Sequence, residues 1–201
     1  MSAIIKEISS FVFSKENVKW AKGQITKYPK GKQASAVMPL LTKAQEQNNG
    51  WLTVAAIDYV ATFLSMPVMR VMEVATFYSM YNLKEVGKHV IEICTTTPCW
   101  LRGSDEVVKA AEDELGIKVG ETTKDFEFTL REVECAGACV NAPVCSVHNV
   151  YYEDLTGDNL RQIIKDFKDG KTPKAGPQNG RKTSEPIGGA TTLKKITGII
   201  E

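Results

Sequence analysis

No apolar run in this 201-residue chain approaches the roughly 20 residues needed to cross a bilayer; the nearest, Val54 to Leu64, is interrupted by Asp58 and Thr62. A soluble protein is expected. Charge excess is also missing: Lys and Arg number 25 against 24 Asp and Glu, so no long-range field exists to gather nucleic acid or anionic lipid. Partners must be recognised by shape. Neither a GxGxxG sequence nor a P-loop occurs, which leaves the chain without a nucleotide-binding motif of its own. The first residues, with Lys6, Glu7 and Ser9 close to Met1, lack the basic start, apolar stretch and small-residue cleavage site of an export signal. A non-exported protein is therefore expected. Disulfides are not: in a reducing compartment five cysteines serve as metal ligands or reactive thiols, and an odd count agrees with that.

What is present changes character along the chain. The first eighty residues carry helical periodicity. Ser14 is placed as the cap of a helix with Val18, Ala21 and Ile25 on one face, ending before Tyr28 and Pro29. Ser35 is expected to cap a second helix with Pro39 in its first turn, Thr53 a third through Val54, Ile57, Ala61 and Leu64, and Ser65 with Pro67 a fourth. After Tyr81 the pattern becomes strand and helix. His89 to Cys94 reads as a buried strand, and Ser104 as the cap of a helix ended by Gly116. Phe126, Phe128 and Leu130 alternate as a half-buried strand, Val144 to Tyr152 reads as another, and Thr156 caps a last helix ending near Gly170. From Thr172 onward Gly and Pro recur without apolar period. The expected class is α+β or α/β, organised as a small helical bundle over 1–85, an α/β domain over 86–171 and an extended tail over 172–201.

The chemistry sits in two cysteine pairs, CTTTPC at 94–99 and CAGAC at 135–139. Two sulfide-bridged irons each need two more tetrahedral ligands, and Cys94, Cys99, Cys135 and Cys139 could supply them as soft thiolates. Ala136, Gly137 and Ala138 are small enough to bring backbone N–H groups against the sulfurs. Structural zinc accepts the same four ligands at such spacings, and paired thiols also serve redox chemistry, so the residues alone leave three readings open. Cys145 reads as a small buried hydrophobe. His89 and His148 are not placed as a Rieske site requires and read as ordinary histidines. Trp100 reads as a core aromatic, and the stripe of Phe77, Tyr78 and Tyr81 as core or interface packing.

Beyond the cysteines, the segments YPKGKQASAVMPLL, GWLT, VATFYSMY, ECAGACVNAP and GPQNGRKTSEPIGG resemble the 24 kDa subunit family of the proton-pumping NADH:quinone oxidoreductase, complex I. The likeness runs from about Tyr28 nearly to the C-terminus. It implies a thioredoxin-like ferredoxin domain behind the helical one. It also implies one [2Fe-2S] cluster, with Cys94 and Cys99 on one iron and Cys135 and Cys139 on the other. The implied role is electron transfer within the respiratory complex, by a chain that is not catalytic alone. NADH and FMN would reside on a separate flavoprotein subunit, with other peripheral-arm subunits as further partners and neither nucleic acid nor membrane insertion involved. The location implied is the cytoplasmic face of a bacterial inner membrane, or the matrix side if organellar. A diaphorase small subunit of a NAD-linked hydrogenase or formate dehydrogenase is the alternative, and a zinc interaction module held by the four cysteines is the alternative from another class. The tail, whose Arg181 and Lys182 can pair with acidic groups, is expected to wrap the flavoprotein, so that truncation after Lys171 leaves the cluster intact.

Overall fold

The computed structural model describes residues 10–186, 188–189 and 192–193. The first nine residues, on which the export expectation rests, and the remainder of the expected tail lie outside the described residues. The chain divides after Val86 into two compact units. Among the described residues, no helix is long and apolar enough to cross a membrane.

The first unit is helical: α1 (Lys15–Ile25), a 3-10 turn (Gln33–Ala36), α2 (Val37–Gln47), α3 (Val54–Phe63) and α4 (Val68–Phe77). Two starts follow from capping chemistry. Ser14 Oγ accepts from the Asn17 N–H at 3.1 Å and Thr53 Oγ1 from the Ala56 N–H at 3.0 Å, each satisfying a donor the helix cannot. The two other expected caps are replaced. Ser35 lies inside the 3-10 turn, and α4 starts behind Pro67, while Ser65 sits at φ 53° in the preceding turn. Leu40, Leu41, Ala44, Ile57, Val60, Val71 and Ala75 form the core, flanked by edge-to-face contacts among Phe11, Phe13 and Tyr59. The aromatic stripe at the end of α4 splits. Tyr81 is buried with its hydroxyl donating to the Met38 carbonyl at 3.0 Å, whereas Phe77 is 79 % exposed and so is not core.

The second unit comprises β1 (His89–Cys94), α5 (Thr97–Leu101), α6 (Ser104–Leu115), β2 (Phe128–Val133), a 3-10 turn (Cys139–Asn141), β3 (Cys145–Val147), β4 (Val150–Glu153), α7 (Gly157–Lys168) and β5 (Gly176–Pro177). The strands form one mixed sheet in the order β2-β1-β3-β4-β5, with β1 parallel to β2 and antiparallel to β3. Register explains the core. Ile91 stands opposite Leu130 and Val147, and Ile93 opposite Cys145, so alternate residues of neighbouring strands share one face. That face packs with Val107 and Ala111 of α6 and with Leu160 and Ile164 of α7. On the other side Glu92 accepts from the Ser146 hydroxyl at 2.9 Å. Gly87 admits β2 to the start of β1, since a Cβ there would stand 2.6 Å from the Phe128 backbone.

Three expectations are corrected here. The single strand from Val144 to Tyr152 is a hairpin, β3 and β4 joined by His148 and Asn149, both at positive φ as a tight primed turn requires. β2 begins at Phe128, because Phe126 turns at φ 57°. Ser104 is the first residue of α6 behind Gly103, and its buried hydroxyl caps nothing. Thr156 does cap α7, and its capping box with Asn159 is complete.

Candidate metal centre

Parallel pairing of β1 and β2 brings their C-terminal ends side by side, with Cys94 opposite Val133. Each strand then feeds a cysteine loop, and this is how two motifs distant in sequence meet. Cys94 is the last residue of β1, its N–H donating to the Val144 carbonyl at 3.0 Å. Cys99 lies in α5, a one-turn helix opened by Thr97 and Pro98, where the missing proline N–H costs least. Both are buried, packed with Ala142, Val133 and Ala136. Cys135 and Cys139 lie on the loop beyond β2 and are exposed, their sulfurs 3.8 Å apart. Gly137 turns that loop at φ 75° and aims its N–H at Cys135 Sγ, 3.4 Å away.

The two pairs act on one another. Burial opposes ionisation of Cys94, yet hydrogen bonds from the Ala136 and Thr96 N–H groups and from Cys99 outweigh it and set the thiol below its ordinary pKa. Cys99 is pushed up to about 12, first by burial and then by sharing a hydrogen bond with Cys94. Cys139 is raised by its hydrogen bond to Cys135, then by burial, and it lies within electrostatic reach of Cys94. The two buried thiols are thus pushed in opposite directions, and a metal binding them would displace their protons. The donor set is sulfur alone, supplied as two pairs rather than one cage. Among the described residues no three His, Cys, Asp or Glu side chains are gathered closely enough to hold a single metal ion. Four thiols in two pairs are a donor set that a sulfide-bridged pair of irons can use.

Other residues singled out in the sequence fall elsewhere. Cys145 is fully buried on β3 with its thiol pushed up to about 12 by burial, among core side chains. Trp100 is 56 % exposed, its indole N–H donating to Asp105 at 3.0 Å, so it is not a core aromatic. It stands beside exposed Leu101 next to the first pair, while exposed Val140 follows the second. His89 and His148 pair through Nδ1 and Nε2 at 2.7 Å at the opposite end of β1 from Cys94, remote from the centre. Both stay below the usual histidine pKa through burial.

No local pattern in the sequence marks the residues that brace the second loop. Tyr151 donates its hydroxyl to the Ala136 carbonyl at 2.8 Å, and Asn141 donates to Glu153 at 2.8 Å. Arg181, expected on a partner's surface, instead forms a buried two-pronged ion pair with Asp154 of its own chain.

A mixed sheet with helices packed on it, carrying two cysteine pairs at the adjacent ends of β1 and β2, is a thiol centre able to hold iron and sulfide on a thioredoxin-like scaffold. The chain belongs to the thioredoxin-like [2Fe-2S] ferredoxin family, whose model matches residues 21–168. It is 57 % identical over 158 residues to an NADH-quinone oxidoreductase subunit of Rickettsia conorii, covering 79 % of this chain and 95 % of that one. It is also 46 % identical over 187 residues to the mitochondrial NADH dehydrogenase [ubiquinone] flavoprotein 2 of Dictyostelium discoideum, covering 93 % and 76 %. The resemblance read from the sequence segments is borne out by these relatives. The crystal structure of an air-oxidised NAD+-reducing [NiFe]-hydrogenase superposes with a TM-score of 0.57 at 18 % identity, over 65 % of this chain and 23 % of that one. At that identity the likeness is one of fold.

Proposed function

We propose that Cys94 and Cys99 hold one iron of a [2Fe-2S] cluster and Cys135 and Cys139 the other, and that the chain carries electrons within a respiratory NADH:quinone oxidoreductase. The observation that carries this reading is the meeting of two thiol pairs at the adjacent ends of β1 and β2, in a chain of this family. When bound, such a group takes up and releases a single electron with little change in bonding. The chain's own residues supply the setting. Cys94 and Cys99 sit in a dry, packed pocket, while the Ala136 and Gly137 N–H groups favour sulfur in its anionic form. The exposed Cys135 side, flanked by Val140, leaves a short path to a docked redox partner.

That partner would be a flavoprotein subunit bearing FMN and the NADH site, which agrees with the absence of a dinucleotide motif here. The isolated chain would then not oxidise NADH. Its place would be the cytoplasmic face of a bacterial inner membrane or the matrix side of a mitochondrial one. The hydrogenase likeness supports a diaphorase subunit as the second reading, but only at the level of fold, and the closer relatives favour the first.

Anaerobically purified protein should contain iron and acid-labile sulfide in equal amounts and give a low-temperature EPR signal on reduction. Bound zinc without sulfide would overturn the reading. The flavin-free chain alone should not oxidise NADH, and NADH should reduce its cluster only once the flavoprotein is added; robust NADH oxidation by the flavin-free chain would count against a subunit role.

A further inference from the structure

The loop carrying Cys135 and Cys139 belongs to no strand or α-helix, and both cysteines are exposed. Its far end is nonetheless held from three sides. The Asn141 carbonyl accepts from the Asp154 N–H at 2.7 Å, and the Asn141 amide donates both to Glu153 and, at 2.9 Å, to the Thr183 carbonyl. The third side is Arg181. Its guanidinium grips Asp154 through Nε at 3.0 Å and through Nη2, and Nη2 also donates to the Val140 carbonyl at 3.0 Å while Nη1 donates to the Glu185 carbonyl at 3.2 Å. The two charged side chains are 7 % and 4 % exposed. Val140 directly follows Cys139. One planar fork therefore joins the sheet edge, the C-terminal segment and the residue next to a thiol of the centre. A lysine, with its single nitrogen, cannot span these acceptors.

The segment itself is anchored to bear this load. Gly176 and Pro177 pair with Tyr152 and Glu153 of β4, and the Gln178 N–H donates to the Glu153 carbonyl at 2.9 Å. From this latch the chain passes across the second cysteine loop to Glu185. We propose that Arg181 is a positioning residue of the cluster: it straps the segment 176–186 over the second loop, fixes the Val140 carbonyl and so holds Cys139 at the distance the second iron requires. The proposal rests on the site reading above. Without the strap the exposed half of the centre would open to water and chelators while the buried half stayed formed.

The test uses the full chain, loaded and cluster-free. Arg181→Met combined with Asp154→Asn removes both charges while keeping at 154 a residue suited to its positive φ of 51°, an exchange that buried pairs commonly tolerate, but leaves the Val140 carbonyl without its donor. The double variant should unfold near the wild-type midpoint, yet lose iron to a chelator roughly 10–100-fold faster, the usual penalty for removing an outer partner of a metal ligand. Hydrogen exchange of the Cys139 to Asn141 amides should rise in the cluster-free chain as well. Should the double variant not fold, Arg181→Lys keeps the charge and the Asp154 contact, and faster iron release is expected there too. Wild-type release and wild-type exchange in a folded variant would overturn the proposal and leave Arg181 a support of the fold alone. Faster exchange in a protein whose wild type takes up no cluster would sustain the strap and overturn the site reading instead.

Discussion

The two halves of the thiol centre are held by different kinds of structure. Cys94 and Cys99 belong to regular elements, the last residue of β1 and the single turn of α5, and are 3 % and 2 % exposed. Cys135 and Cys139 sit on an exposed loop whose shape depends on Tyr151, Asn141, Asp154 and Arg181, all of them later in the chain. The difference teaches that half of a site can be local and half borrowed. The local half needs the sheet; the borrowed half also needs the C-terminal segment.

The largest effect comes from removing a sulfur. Cys94→Ala and Cys135→Ala should each abolish bound iron, measured per chain, because a thiolate has no substitute nearby. They should differ in the cluster-free protein. Cys135→Ala is expected to leave its urea midpoint unchanged, whereas Cys94→Ala empties packed space and should lower stability by about 1–2 kcal/mol. Cys145→Ala should be destabilised to a similar degree and still bind iron. Retained iron in Cys135→Ala, or lost iron in a folded Cys145→Ala, would break the assignment.

Next in size is the buried ion pair. Asp154→Ala leaves the Arg181 guanidinium unpaired in a nearly dry site and should cost about 3–5 kcal/mol in denaturant unfolding. A cost below about 1 kcal/mol would mean that the segment does not stay docked in solution. For the same reason truncation after Lys171 should weaken the cluster, contrary to the tail as an independent partner arm. Gly87→Ala probes the half built on regular structure, since its Cβ would press on the Phe128 backbone from 2.6 Å and should cost about 1–3 kcal/mol. Because that strain lies at the other end of β1 from Cys94, iron release should change little.

Tyr151→Phe removes one hydroxyl contact from the second loop and should cost about 0.5–1.5 kcal/mol, with faster iron release as its clearer sign. The smallest effect is one of pH. His89 and His148 have folded pKa values below the ordinary 6.5, so the unfolded chain binds more protons once pH falls past that value. Their contribution is complete above pH 6.5 and is lost as pH falls through the folded values. Unfolding free energy of the cluster-free chain should therefore decline on acidification below 6.5, and replacing His148 by Asn should flatten that decline. An unchanged slope would show that the pair does not titrate on unfolding.

Much of this protein was legible from local pattern. The strand His89–Cys94, the caps Thr53 and Thr156, and the two cysteine pairs were all readable, because period, capping chemistry and ligand type act over a few residues. Local pattern misjudged Trp100 and left the stripe of Phe77, Tyr78 and Tyr81 undivided between core and interface, since an aromatic at helical spacing looks the same facing a core or facing solvent. It missed the hairpin at His148 and Asn149, where two non-glycine residues accept positive φ only within a formed sheet. The sequence by itself thus determined which residue types are available as metal ligands and where most of the helices and strands lie. Only the tertiary structure decided that the thiol pairs meet, that one is buried and the other exposed, and that Arg181 reaches back to Asp154 and Val140. Side chains far apart along the chain leave no periodic trace of one another, and their contact exists only once parallel pairing of β1 and β2 and the docking of β5 have closed the loops between them.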